Sequence, residues 1–188
     1  MAPADQIGRA RFYVAAVERD NAYPMAKLSA GLLPFRKING QLEVFLVHPG
    51  GPFWKKKDEG AWSLSKGEYT DDEDPLDAAK REFTEETGFV ADGEFLSLGK
   101  SKQPSGKTVT AWAVEKDLDA GAIKSNLFSL EWPPKSGKMR EFPEVDRGAW
   151  FSLNQARTQI LKGQLLFLER LSEKLGLPIE EEAQTPSG

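Results

Sequence analysis

The stretch between Asp74-Pro75 and Gly88 constrains this chain more than any other. An aspartate at the N-cap satisfies N–H groups that a helix start leaves without partners. A proline fits the first helical position because its missing N–H has no partner there anyway. Leu76, Ala79 and Phe83, with Ala78 beside them, recur at helical spacing, and Gly88 stands where a left-handed residue ends a helix. The segment therefore reads as one short amphipathic helix whose apolar stripe another layer must cover.

The flanks supply that layer. Leu28–Ile38 and Gln41–His48 are apolar-rich runs joined by Asn39-Gly40, a pair that tolerates positive φ and marks a tight hairpin. Pro49-Gly50-Gly51-Pro52 breaks the second run into a long loop through Gly60, and Ala61–Leu64 reads as a short strand. Beyond the helix, Glu94–Lys100 and Lys107–Glu115 read as strands, and Leu127–Trp132 as an irregular strand or loop. Ser152-x-x-Gln155 is a capping box that opens a helix to about Leu161. After Gly163, the recurrence of Leu165, Leu168, Leu171 and Leu175 marks another helix, ended by Gly176 and Pro178. Strands, helix, strands, helices describe one α/β domain with a mixed sheet, over residues 27–178. Residues 1–26 read as a partly loose extension and 179–188 as a flexible acidic and polar tail.

Composition narrows the chemistry. The chain of 188 residues holds no cysteine and a single histidine, His48. Thiolate metal sites, cysteine nucleophiles and multi-histidine sites are excluded, so any bound metal is a hard, oxygen-ligated cation. The net charge of −4 gives no overall pull toward nucleic acid or an anionic membrane, so neither is expected as a partner. The apolar run Phe12–Val17 is too short for a membrane span and lacks a cleavage site, and a cytoplasmic location is the default expectation. An anionic substrate would need a metal or a local basic patch.

The helix carries an anomaly of charge. Glu82, Glu85 and Glu86 lie on or near one helical face, and the last two stand at the negative end of the helix dipole. By itself this could be a solvated acidic face; a divalent cation among the carboxylates would reverse the sign of the arrangement. The surrounding spacing decides. Gly67, five residues, Glu73, seven residues, then Arg81-Glu82-Phe83-Thr84-Glu85-Glu86-Thr87-Gly88-Phe89 is a complete Nudix box. A chance match in a chain this long is on the order of 10⁻⁷. The sequence thus resembles the Nudix hydrolases, over roughly residues 27–175.

The resemblance implies an α/β/α sandwich and hydrolysis of a nucleoside diphosphate linked to another group, with Mg²⁺ or Mn²⁺ on the box helix. It implies Glu82 and Glu86 as metal ligands, Glu85 as a third or water-mediated one, and a backbone carbonyl from Lys66 or Gly67. Arg81 is expected to pair with Glu73 and orient the glutamates, and Gly67 to allow a tight turn. Glu82, then Glu85, is the expected general base. A glutamate from the segment Arg140–Phe151 adds a ligand or base in many members, which points to Glu144 or Glu141.

Other residues carry weaker signals. Trp62-Ser63-Leu64-Ser65-Lys66-Gly67 resembles the segment before the box in Nudix enzymes acting on dinucleoside polyphosphates, with Ser65 in place of a proline. Lys66, Lys55–Lys57, Lys138 and Arg140 are candidate phosphate contacts, with Lys57 and Arg140 favoured beside Lys66, and Trp54 is a candidate base-stacking surface. His48 reads as structural or as a phosphate contact. A nucleotide is the expected partner, and a dinucleoside polyphosphate the leading substrate. Alternatives are a damaged nucleoside triphosphate, a nucleotide sugar, or a nucleotide-sensing module without turnover. Oligomeric state is not legible.

Overall fold

A computed structural model describes residues 28–177; the expectations for 1–26 and 179–188 lie outside the described residues. β1 (Leu28–Ile38) and β2 (Gln41–Pro49) form the hairpin expected at Asn39-Gly40, both of which take positive φ. β3 (Ser65–Glu68) precedes α1 (Pro75–Thr87), and β4 (Phe95–Lys102) and β5 (Thr108–Glu115) follow it. β6 (Leu127–Glu131) and β7 (Met139–Pro143) lead into β8 (Val145–Ser152), α2 (Leu153–Gln159) and α3 (Leu165–Leu175).

The main sheet runs β4-β5-β1-β2-β8, with β3 also paired to β1. It is mixed, because β1 is parallel to β5 and antiparallel to β2 and β3. On one edge β1 pairs first with β3 through Ser29–Leu32 and then with β2 through Phe35–Ile38. Pro34 stands at this fork. The Phe35 carbonyl accepts from Lys116 N–H on the β5 side, so the Pro34 nitrogen faces the fork, where neither neighbour requires a donor.

Helices cover both faces. Ala78, Ala79 and Phe83 of α1 bury themselves against Ala30, Leu32, Phe45 and Val47. On the other face Leu153, Ala156, Phe167, Leu168 and Leu171 of α2 and α3 pack on Leu33, Val44, Leu46 and Val109. The alternation along β2 thus feeds two cores, and the expected α/β/α sandwich is the observed architecture.

Two element expectations are corrected. The short strand is Ser65–Glu68 rather than Ala61–Leu64; Trp62 and Ser63 make only isolated bridges, to Ile160 and Val47. The apolar run at 61–64 is core filling, and the ladder begins where Ser65 and Lys66 meet β1. Leu127–Glu131 is a regular strand, because Met139–Pro143 pairs with it as a separate two-stranded sheet.

Candidate active site

α1 begins as its sequence dictates. The Asp74 carboxylate accepts from the N–H groups of Leu76 and Asp77 at 2.9 and 3.1 Å. Gly88, at φ 79°, closes the helix by donating to the Thr84 carbonyl. The negative end of the helix is covered: the Glu85 and Thr87 carbonyls accept from the N–H groups of Asn126 and Lys124 at 3.0 and 2.9 Å. Asn126 in turn accepts from Glu144 N–H at 2.9 Å, which ties Glu144 to the end of the carboxylate-bearing helix.

Arg81 holds the carboxylates apart. Its Nε and Nη2 donate to the two oxygens of Glu73 at 2.9 and 3.0 Å, a bidentate pair. Its Nη1 lies 2.5 Å from Glu82 and 3.7 Å from Glu85. The Glu82 and Glu85 side chains are only 13% and 19% exposed, so their mutual repulsion is weakly screened and the guanidinium is what offsets it. The same carboxylates hold Arg81 charged, with its pKa raised above the ordinary guanidinium value by Glu73 first and then Glu82.

Gly67 is needed here for space, and the expected tight turn is not its role. It lies within β3, and a Cβ on it would stand 1.9 Å from the Glu82 carboxyl carbon. Glu82 thus packs against bare backbone. One helical turn on, a Glu86 oxygen accepts from Ser65 Oγ at 2.7 Å and from Lys66 N–H at 3.1 Å. Burial pushes the Glu86 carboxyl up to about 8, and Glu82 and Glu144 push it the same way, while Lys66 and Ser65 oppose them. Burial lowers Lys66, and Lys107 adds to that. The largest cause is the same for both groups, the low-dielectric surroundings that they share.

Glu86, Lys66 and Glu144 share the wall of a cavity of about 150 Å³. Its remaining lining is mostly apolar: Trp54 from the long loop, Phe128 from β6, Leu161 from the α2–α3 connection, and Val47, Ala61 and Leu64 between them. The apolar part of this lining suits the faces of a flat ring.

The remaining candidates divide. Glu144 lines the cavity, whereas Glu141 pairs with Ser129 on the opposite face of the β6–β7 sheet from Phe128 and Phe142. Arg140, opposite Leu130, shares the Phe128 face but is exposed. Lys55, Lys56, Lys57 and Lys138 are exposed, and Lys57 Nζ rests 4.6 Å from the Trp54 ring centroid. None of these cations lines the cavity. His48 is fully buried and cannot meet a phosphate; its partners are protein groups. Sequence reading missed Phe128, whose hairpin pairs only in three dimensions, and Gln164. The buried Gln164 amide accepts from Leu64 N–H at 3.0 Å and bonds Ser63, holding the segment that leads into Gly67. An isolated glutamine between two helices carries no such signal.

The donor set is chemically suited to a hard divalent cation, being carboxylate and carbonyl oxygen. Among the described residues no three acidic or imidazole side chains already stand together at ligating geometry. Glu82 is turned to Arg81 and Glu86 to Ser65, so these side chains are held by protein donors around the place a cation would occupy.

Comparison with known proteins agrees with this arrangement. The NUDIX domain model matches residues 25–171, and the chain belongs to the Nudix family. Among solved structures, a C. elegans Ap4A hydrolase binary complex is similar at 20% identity and TM-score 0.56, covering 79% of this chain and 98% of that one. The NUDIX domain of Shewanella oneidensis NrtR, complexed with ADP ribose, is similar at 19% identity and TM-score 0.56, covering 88% and 98%. A Listeria monocytogenes Nudix protein is similar at 18% and 0.56, covering 79% and 94%. Comparison with curated protein sequences returns no match. As a member of this family with the box intact, the chain is a hydrolase of phosphoanhydride bonds. No described helix is long and apolar enough to cross a membrane.

Proposed function

We propose that the chain hydrolyses a nucleoside diphosphate linked to another group, with the base or a comparable ring in the Trp54–Phe128 cavity and the pyrophosphate over α1. The observation that carries this reading is the cavity itself. It is walled by rings and aliphatic side chains and ends on Glu86, Glu144 and Lys66. Nudix hydrolases generally use divalent metal ions. Here Glu82, Glu85, Glu86, Glu144 and the Lys66 carbonyl would hold Mg²⁺ or Mn²⁺, which when bound neutralises phosphate oxygens and lowers the pKa of a water. Glu82, or failing it Glu85, takes the proton of the attacking water. Arg81 orients both carboxylates and does not meet substrate, and the Lys66 side chain offsets phosphate charge.

A dinucleoside polyphosphate is the substrate to test first. The fold likeness to an Ap4A hydrolase supports it, as does the spread of Lys55–Lys57, Lys138 and Arg140 at exposed positions, where a long phosphate chain leaving the cavity can meet them. One observation favours a second reading, a diphosphate-linked nucleotide such as ADP-ribose: among the described residues Lys66 is the only basic side chain in the cavity wall. Incubating the protein and Mg²⁺ with diadenosine tetraphosphate or ADP-ribose at matched concentration, and identifying products, separates them. Preference for the tetraphosphate, weakened by Lys→Ala changes and by salt, supports the first. Preference for ADP-ribose supports the second. No turnover of any nucleotide in a broad panel overturns both.

A further inference from the structure

His48 stands next to the end of β2 with its ring fully buried, and it does not line the cavity. Nδ1 lies 2.9 Å from Oδ1 of Asp146 on β8, and Nε2 lies 2.8 Å from the Lys57 carbonyl in the long loop. A main-chain carbonyl only accepts a hydrogen bond, and so does an ionised carboxylate. Nε2–H is therefore the donor to Lys57, and the Asp146 contact at Nδ1 fixes the angle of the ring. Trp62 packs edge-to-face on the ring at 5.2 Å. Around the pair stand Arg147, 3.6 Å from Asp146 and 3.6 Å from Asp58, and Asp58 itself, which accepts from Trp62 Nε1 at 2.9 Å.

The geometry reaches the cavity on both sides. Lys57 N–H donates to the Trp54 carbonyl at 2.8 Å, and Lys57 Nζ covers one face of the Trp54 ring, so the backbone of Lys57 fixes where Trp54 stands. Asp146 follows Val145 and Glu144, which line the cavity opposite. The other end of the loop is fastened to the same place: Gly50 N–H donates to the Glu144 carbonyl at 2.9 Å, and a Cβ on Gly50 would stand 2.0 Å from the Pro143 carbonyl oxygen. The loop is thus tied to the start of β8 at Gly50 and, through His48, at Lys57.

We propose that His48 and Asp146 are positioning residues that set the distance between the Trp54 wall and the Glu144–Val145 wall, and so set affinity for the ring-bearing end of the substrate. This rests on the reading that a ring occupies the cavity. The step of bond cleavage does not involve the pair, which lies outside the carboxylate set.

The test uses the full chain and whichever nucleotide the panel shows it to cleave. Asp146→Ala leaves Nδ1 without its partner, so the ring is no longer held at the angle that aims Nε2–H at the Lys57 carbonyl; KM should rise roughly tenfold, the worth of one lost charge-assisted bond, with kcat within about twofold. Asp146→Asn should restore KM, because its amide N–H donates to Nδ1 of a neutral ring while Nε2–H still serves Lys57. An unchanged KM in Asp146→Ala, or an Asp146→Asn variant as impaired as Asp146→Ala, overturns the proposal. A second readout needs no turnover. Acrylamide quenching of the Trp54 signal, taken as the difference from Trp54→Phe in each background, should increase in Asp146→Ala and not in Asp146→Asn. Equal quenching in all three overturns the clasp even where no substrate is found, while absence of turnover in the parent protein counts against the proposed function alone. His48→Ala leaves a buried void and is not the deciding variant.

Discussion

The carboxylate helix and the cavity beside it are built in opposite ways. The helix is local: Arg81, Glu82, Glu85 and Glu86 lie between the caps Asp74 and Gly88, and its start, stop and charge arise from neighbours in sequence. The cavity is assembled from separated segments, among them β2 at Val47, the loop at Trp54, the stretch from Ala61 to Leu64, β6 at Phe128, Glu144 and Val145 at the start of β8, and the α2–α3 connection at Leu161. The first is charged and tied together by Arg81, and the second is mostly apolar. Chemistry should therefore fail when the helix is touched, and affinity or selectivity when the cavity is.

The sharpest way to break that contrast is at Glu82. Glu82→Gln is expected to lower kcat by about 10²–10⁴-fold, as loss of a general base does, with the melting temperature unchanged or raised in EDTA because a like charge is removed. Gly67→Ala should reproduce part of this loss, roughly 10–100-fold, without altering a charge, since the new methyl displaces the Glu82 carboxyl. Full activity in both variants would remove Glu82 from the site.

Next comes Arg81→Ala. It leaves Glu73, Glu82 and Glu85 without their shared cation. Arg81 is 37% exposed, so solvent screening holds the expected loss to about 1–2 kcal/mol, or roughly 3–6 °C in Tm. Activity should fall through kcat. A variant of normal stability with only a raised KM would put Arg81 on the substrate.

Glu86 sharpens the comparison by pH. Its folded-state value of about 8 lies above its ordinary 4.5. The protonated group therefore contributes stability that is fully present below about pH 4.5 and is lost as pH rises through about 8. In EDTA, Tm should fall by a few degrees between about pH 5 and about pH 8.5, and Glu86→Gln should flatten that slope. An identical slope in the variant would mean that other groups set it.

The smallest effects belong to Lys55 and Lys56. Both are exposed, so alanine at either should change stability by less than about 0.5 kcal/mol. Their effect on turnover discriminates substrates: loss confined to polyphosphates at low salt supports a long phosphate chain, and none supports a diphosphate-linked nucleotide.

What the sequence alone determined was local. The helix from Asp74 to Gly88, the Asn39-Gly40 hairpin, the Ser152 capping box and the Gly67–Phe89 spacing were readable because each depends on groups within a few residues of one another. The Glu73–Arg81 pair was readable for the same reason, since their separation is set by one helix and its lead-in. The tertiary structure decided the rest. It shifted a short strand to Ser65–Glu68, where pairing with β1 outweighs the apolar run before it. It put Glu144, in the bend between β7 and β8, on the cavity wall, and strand alternation turned Glu141 to the face of the β6–β7 sheet away from Phe128. It turned Gly67 from a turn residue into the space that Glu82 fills, and His48 from a phosphate candidate into a buried tie between β2, β8 and the loop. Local hydrogen-bonding needs are written in neighbouring residues, whereas side-chain facing and close approach depend on which distant segments the sheet brings together.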